Sequence, residues 1–218
     1  MLRDKVHVNI ENWENYLDNV LGHNWRVSKL SNYIAELCGF DPEMADLIEE
    51  AAYVHDIGKI QLNPSVLYKP SALDDTEMEE IKRHVVLGIH AVSNMYGDDS
   101  LHMQVVKYHH ERWDGNGYPY GLKGTDIPIV ARIVAVADQY DAIRSRRVYK
   151  RGFAHMETMS LIYDTAGTFL DPVIVRICMA NEFALKNRFE HLYKRWSMRR
   201  ILINQQYYQN NKPVKVLQ

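Results

Sequence analysis

From Ile127 to Ala137 the chain is apolar apart from Arg132, and an aspartate, Asp138, follows directly. Pro128 suits the start of a helix, where its fixed φ and missing donor do no harm. A helix this apolar has to be enclosed on most of its faces. Other elements must therefore wrap around it, and Asp138, at its end, meets the interior they create. An ionised carboxylate beside such a helix is costly unless it is paired or bound to a metal.

The elements available for wrapping are themselves helical. Trp25, Leu30, Tyr33, Ile34 and Leu37 recur at helical spacing up to Gly39. Asp41 with Pro42 starts a second helix, which turns Met44, Leu47, Ile48, Ala51 and Ala52 inward and delivers His55-Asp56 at its end. Thr76 with Glu79 forms a capping box for a third, with inner face Ile81, Val85 and Ile89 and with His84 on the same edge. Ser100 caps a helix that ends in His109-His110. No alternation of helix and strand patterns occurs, so the expected class is all-α. Gly58 to Leu73, with Pro64 and Pro70, reads as a surface loop. Residues 112–126, with Gly115, Gly117, Gly121, Gly124 and Pro119, read as a structured loop. From about Asn187 the chain turns basic and amide-rich, the pattern of one surface helix and a frayed tail.

Composition narrows the function classes. A chain of 218 residues supports one substantial domain, and a net charge of -2 supplies no broad basic field for duplex nucleic acid or anionic lipid. An anionic substrate must then be captured locally. No apolar run approaches the roughly 20 residues that span a bilayer, and Met1 to Lys5 lacks the apolar core of a secretory leader. The two cysteines, Cys38 and Cys178, lie in apolar helical patterns and read as buried free thiols, which points to a reducing, cytoplasmic location.

His109-His110 is the most telling pair in the chain, because it joins His55-Asp56, His84 and Asp138 in the set of polar residues at inner helix edges. Taken singly, each has a bland reading as a cap, an ion pair or a satisfied core histidine. Together they form a ligand set. An aspartate has two oxygens, so Asp56 is the natural bridge: His23, His55, Asp56 and Asp138 for one cation, and Asp56, His84, His109 and His110 for the other. Two cations roughly 3.5–4 Å apart can share a water, lower its pKa and clamp both oxygens of a displaced ester. Mixed imidazole and carboxylate ligands suit iron, manganese, zinc or nickel rather than calcium.

The motifs His55-Asp56-Ile57-Gly58-Lys59, Lys69-Pro70, His109 through Pro119 and Ala137-Asp138 resemble the HD-GYP branch of the HD phosphohydrolases. Ile127-Pro128, Ala131-Arg132-Ile133, Asp141-Ala142, Tyr149-Lys150 and Asp171-Pro172 agree with it, and the resemblance covers roughly residues 20 to 180. It implies a single HD-type helical bundle with the Gly/Pro-rich loop beside a two- or three-metal centre, often containing iron. It further implies hydrolysis of cyclic di-GMP to linear pGpG or GMP. His23 stands where the family's first helix supplies a histidine. Lys59 matches a lysine that contacts substrate phosphate, Arg147 and Lys150 match basic residues of the substrate groove, and Gly117-Tyr118-Pro119 matches the loop that walls the site. Trp113 and Tyr118 either stack on guanine or pack the loop.

Departures from the family pattern are few. Members with a third metal carry a glutamate four residues before the first histidine, where this chain has Asn19, so two ions per chain are expected. Ser71 and Val148 replace a glycine and a proline without removing a ligand. The expected partition is a helical lead-in over 1–19, the catalytic domain over 20–186, and a C-terminal helix and tail over 187–218. With about 20 residues ahead of the catalytic region, the chain is expected either to be a stand-alone enzyme or to have its sensor as a separate protein acting in trans, and a homodimer is left open. The expected function is metal-dependent hydrolysis of cyclic di-GMP or a related cyclic dinucleotide such as 3′,3′-cyclic GMP-AMP. The alternatives are a non-catalytic cyclic-dinucleotide receptor or protein-interaction module, and an HD-type mononucleotide phosphohydrolase.

Overall fold

The computed structural model describes residues 13, 16–145 and 152–210 of the chain. Its helices are α1 (His23–Leu37), α2 (Pro42–Tyr53), α3 (Pro64–Leu67), α4 (Asp75–Tyr96), α5 (Leu101–Tyr108), α6 (Ile129–Arg144), α7 (His155–Asp164), α8 (Pro172–Ala180) and α9 (Glu182–Asn210). A π-helical turn, Leu17–Gly22, leads into α1, and 3-10 turns cover Ile57–Gln61 and Gly124–Asp126. Among the described residues there is no strand, only an isolated bridge between Ala166 and Leu170. No helix among them is long and apolar enough to cross a membrane.

The apolar helix is α6, and it is enclosed as its composition requires. Val130, Ala131, Ile133, Val134, Val136, Ala137 and Tyr140 are buried, with α1, α5, α7 and α8 packed around them. Arg132, the one interruption, reaches the helix edge and donates to Ile127 O at 2.8 Å and to Asp171 Oδ2 at 2.5 Å. Asp171 in turn caps α8. Asp138 lies within α6, not at its end, because the helix continues for six residues through Tyr140, Asp141 and Ile143, which are also buried.

Local signals account for most helix starts. Asp41 accepts from Met44 N at 2.8 Å with Pro42 at the first turn, and Ser100 accepts from Met103 N at 3.1 Å. The start of α4 differs from the reading above. Its capping box is Asp74 with Glu77, not Thr76 with Glu79. Asp74 is an equally good cap two residues earlier, and Glu77 is also held there by Lys69 at 2.5 Å. On α2, Leu47 is 45% exposed, so the inward face consists of Ala45, Ile48, Ala51 and Ala52, with Met44 packed at its margin.

Two further corrections concern the segment after α2 and the C-terminal helix. Gly58 to Leu73 is not a plain loop: it folds into the 3-10 turn and α3, whose cap is Asn63. The C-terminal segment is not merely a surface helix. It begins at Glu182 and buries Leu185, Phe189, Leu192 and Trp196 in the same core as Leu17, Trp25 and Leu30. Gly22 faces the Trp196 ring so closely that a Cβ would lie 2.6 Å from it. Both cysteines are free, Cys178 buried and Cys38 half-buried.

The contact that matters most for the site is between the 3-10 turn and α4. A Cβ on Gly58 would lie 1.9 Å from His84 O and 2.6 Å from Gly88 N, so only glycine lets these backbones meet. This approach brings Asp56 to His84. Gly58→Ala should therefore destabilise the protein by about 3 kcal/mol in urea unfolding and abolish tight metal uptake. A variant that unfolds and binds metal like the parent would show that the approach is not needed.

Candidate metal centre

Each ligand candidate reaches the centre by a different local device. α2 ends at Tyr53, and Asp56 takes up φ -101°, ψ 14°, leaving the helix so that His55 and Asp56 project side by side. Asn24 on α1 donates to Tyr53 O at 3.2 Å and ties this end to the first helix. His23 opens α1, His84 sits mid-way along α4, His109 caps α5 with His110 next to it, and Asp138 projects from α6.

Asp56 stands at the middle of these groups. Its Oδ1 lies 3.4 Å from His84 Nε2 and 3.8 Å from His109 Nε2. Its Oδ2 lies 3.3 Å from His55 Nε2 and 3.8 Å from His23 Nε2. His23 Nε2 is also 2.9 Å from Asp138 Oδ1. Two sets of ligand atoms emerge, Asp56 with His84, His109 and His110, and Asp56 with His23 and His55, each within a 4.8 Å span that an ion could fill. Lys59 reaches back to donate to Asp56 Oδ2 at 2.5 Å.

The imidazole protons decide what these atoms can accept. His55, His84 and His109 turn Nδ1 to the carbonyls of Ala52 (2.7 Å), Ile81 (2.6 Å) and Val105 (3.0 Å). A carbonyl only accepts, so Nδ1 carries the proton and, in a neutral ring, Nε2 carries the lone pair. Yet His84 Nε2 and His109 Nε2 face each other at 3.3 Å, lone pair to lone pair. His55 Nε2 and Asp56 Oδ1 are buried with no hydrogen-bond partner. Buried acceptors pointed at one another without donors are what a cation would satisfy. The residues present fit a metal.

Electrostatics keep all but one of the shifted ligand candidates in their binding forms, His55 being the exception. Burial works against an ionised Asp56, but Lys59 and His55 outweigh it and hold the carboxyl well below the usual range. Asp138 is likewise lowered, burial being overcome by the His23 hydrogen bond and charge. Burial pushes His84 down to about 3 and His110 well below its ordinary value, with His109 adding to both, so these rings stay neutral. For His55 the Asp56 carboxylate overcomes burial and raises the ring.

The Gly/Pro-rich loop forms one wall. Tyr118 stacks on His110 with ring centroids 4.8 Å apart, and Tyr118 N donates to His110 O at 3.2 Å. A Cβ on Gly117 would meet Arg112 N at 2.3 Å, which explains the glycine there. Trp113 packs the loop, with Arg132 over its ring at 5.9 Å and its backbone N–H donating to Phe169 O. Arg147 and Lys150 lie outside the described residues.

Three participants escaped the sequence reading. Glu111 is 2% exposed and accepts from Tyr120 N at 2.8 Å and Leu122 N at 2.9 Å, tying the loop together behind Tyr118. Asp141 accepts from His23 Nδ1 at 2.8 Å and is clamped by Arg26 at 2.6 and 3.0 Å. Burial alone would raise Asp141, but Arg26 and His23 keep it well below the carboxylate range. A usable signal existed: Arg26 and Asp141 each follow a ligand by three residues on a helix, which places them on its face.

A family model described as "HD domain" matches residues 7–174. The chain belongs to the HD domain family. It is 42% identical over 151 residues to the Xanthomonas campestris protein named "Cyclic di-GMP phosphodiesterase response regulator RpfG", covering 67% of this chain and 39% of that one. A Thermotoga maritima "Cyclic di-GMP phosphodiesterase" is 41% identical over 154 residues (70% and 42% covered). A Vibrio cholerae "3'3'-cGAMP-specific phosphodiesterase 2" is 35% identical over 161 residues (72% and 30%). The HD domain chain thus spans well under half the length of these relatives. Among solved structures, Bd1817, a HDG"Y"P protein from Bdellovibrio bacteriovorus, shares the fold with a TM-score of 0.59 at 24% identity, covering 76% of this chain and 52% of that chain. The HD-GYP resemblance read from the motifs stands on these relatives.

The neutral, buried rings make metal-free stability depend on pH. Unfolded His84 takes up a proton near 6.5 and folded His84 only near 3, so the unfolded state binds more protons between those values. Stability therefore falls as pH drops through that window, by about 1 kcal/mol per pH unit from His84. His110, His102 and His155 shift the same way, and His55, raised, opposes them. The urea midpoint of the metal-free protein should fall between about pH 7 and about pH 5, and His84→Gln should flatten the dependence. A midpoint that holds or rises on acidification contradicts this balance.

Proposed function

We propose that this chain is a metal-dependent phosphodiesterase acting on cyclic di-GMP or a closely related cyclic dinucleotide such as 3′,3′-cyclic GMP-AMP. The observation that carries the reading is Asp56, whose two oxygens face two separate groups of imidazoles. That arrangement supports two transition-metal ions per chain, iron foremost, with manganese, zinc or nickel as alternatives. One would be held by His23, His55, Asp56 and Asp138, the other by Asp56, His84, His109 and His110. When bound, such a pair supplies an activated water for in-line attack and neutralises charge on the phosphoryl oxygens.

The chain's own residues do the rest. Lys59 is a fifth exposed and stands at Asp56, placed to transfer its hydrogen bonds from carboxylate to a substrate phosphate. Tyr118, supported by Glu111 through the loop, fixes the orientation of His110 and covers that side of the centre. Arg147 and Lys150 are proposed to hold the far end of the dinucleotide. The catalytic unit is proposed to comprise residues 20–186, with 1–19 as lead-in and 187–218 as a helix and tail. We infer a cytoplasmic protein that works with a regulatory protein partner or as a homodimer.

Protein purified without oxygen should contain two metal ions per chain and convert cyclic di-GMP or cyclic GMP-AMP to linear products in preference to mononucleotides. Asp56→Asn should lower turnover by roughly a thousandfold or more. Neutralising Arg147 or Lys150 should raise KM more than it lowers kcat. Elemental analysis and product chromatography check all of these. Tight dinucleotide binding without hydrolysis by the fully loaded, reduced protein would instead support a receptor, and three ions per chain would refute the metal count.

A further inference from the structure

The histidines of the centre are not supported alike. His55, His84 and His109 each give Nδ1–H to a neutral backbone carbonyl. His23 gives its Nδ1–H to a carboxylate, Asp141, at 2.8 Å. That carboxylate is fully buried and fixed by the Arg26 guanidinium, with Nε 2.6 Å from Oδ1 and Nη2 3.0 Å from Oδ2. Neither Arg26 nor Asp141 belongs to either group of ligand atoms. The pair therefore acts on a metal only through His23.

We propose that Asp141, clamped by Arg26, is a positioning group that makes the His23–His55–Asp56 side the tighter of two metal sites, so that the two ions load in a fixed order. The inference rests on the two-metal reading above.

The reasoning is chemical. An anionic acceptor draws on the Nδ1–H bond and places more electron density on Nε2 than a carbonyl does. It also holds the ring plane, because Arg26 leaves the carboxylate no freedom to rotate. His23 Nε2 is thereby held 2.9 Å from Asp138 Oδ1 and 3.8 Å from Asp56 Oδ2. On the other side, His84 and His109 have only carbonyl support, and their Nε2 atoms face each other at 3.3 Å. The first side is more basic and better preorganised, and the second is assembled around it through the shared Asp56.

The test uses the full chain stripped of metal by chelation and titrated with Zn²⁺ against a chromophoric chelator, with stoichiometry and stepwise affinities as the readout. Wild type should take up two ions in resolved steps. Asp141→Asn preserves shape but removes the charge, and its amide can donate to Nδ1 and turn the ring over. It should weaken the first step by roughly 10–100-fold and leave the second nearly unchanged, so that the two steps merge. Arg26→Lys should retain most of the separation.

Removing Arg26 alone would strand a buried charge, so the double variant Arg26→Met/Asp141→Asn is the second probe. It should behave as Asp141→Asn does, with metal-free thermal unfolding confirming that both variants fold. Unchanged steps in either folded variant, or equal weakening of both steps, would overturn the inference while leaving the two-metal reading intact. A wild-type chain that binds only one ion would overturn that reading and this inference together.

Discussion

Asp56 is an ionised carboxylate with almost no access to water, and the rest of the centre is organised around keeping it charged. Burial opposes that state, so the carboxylate depends on partners on every side: Lys59 above it and imidazoles facing each oxygen. The same demand explains the helix arrangement. Four helices and one tight turn supply groups to the space around Asp56, the end of α5 giving both His109 and His110, and no one element could supply them all. A carboxylate that bridges two groups of ligands also couples them, because a cation held by one oxygen changes what the other oxygen offers.

Support behind the ligands is graded. Carbonyls at the ends of helical turns orient His55, His84 and His109, using acceptors that helices leave free near their ends or share within a turn. His23, at the start of α1, is instead held by Asp141 of α6, which Arg26 of α1 clamps in turn. The loop after His110 adds a third kind of support. Its backbone is gathered by the Glu111 carboxylate, and its Tyr118 ring lies on His110. Membership of the HD domain family agrees with this construction, in which rigid helices present ligands and a loop covers them.

Much of this was legible in the order of residues. The enclosed helix was visible in the apolar run before Asp138, the starts of α2 and α5 in Asp41-Pro42 and Ser100, and the cluster of candidate ligands in the histidines at inner helix edges. The errors have physical causes. Leu47 was placed inward because it falls on the apolar stripe of α2, but among the described residues no neighbouring helix covers that edge. The box at Thr76 lost to Asp74 because two capping patterns overlapped and Glu77 had a second partner in Lys69. The C-terminal helix was read as surface from its charges, although it carries Leu185, Phe189, Leu192 and Trp196 at core spacing.

Residue types and their spacing were enough to establish an all-helical chain and to nominate seven metal ligands, because periodicity reports which side chains face inward. Ligand chemistry suggested which candidates could share Asp56, but spacing said nothing about the contacts that hold them in place. Arg26 and Asp141 are 115 positions apart, and their clamp on His23 exists only because α1 crosses α6 at that level. The division of Asp56 between two sets of imidazoles likewise depends on how closely the turn at Gly58 approaches α4, a matter of ångströms set by packing between distant segments.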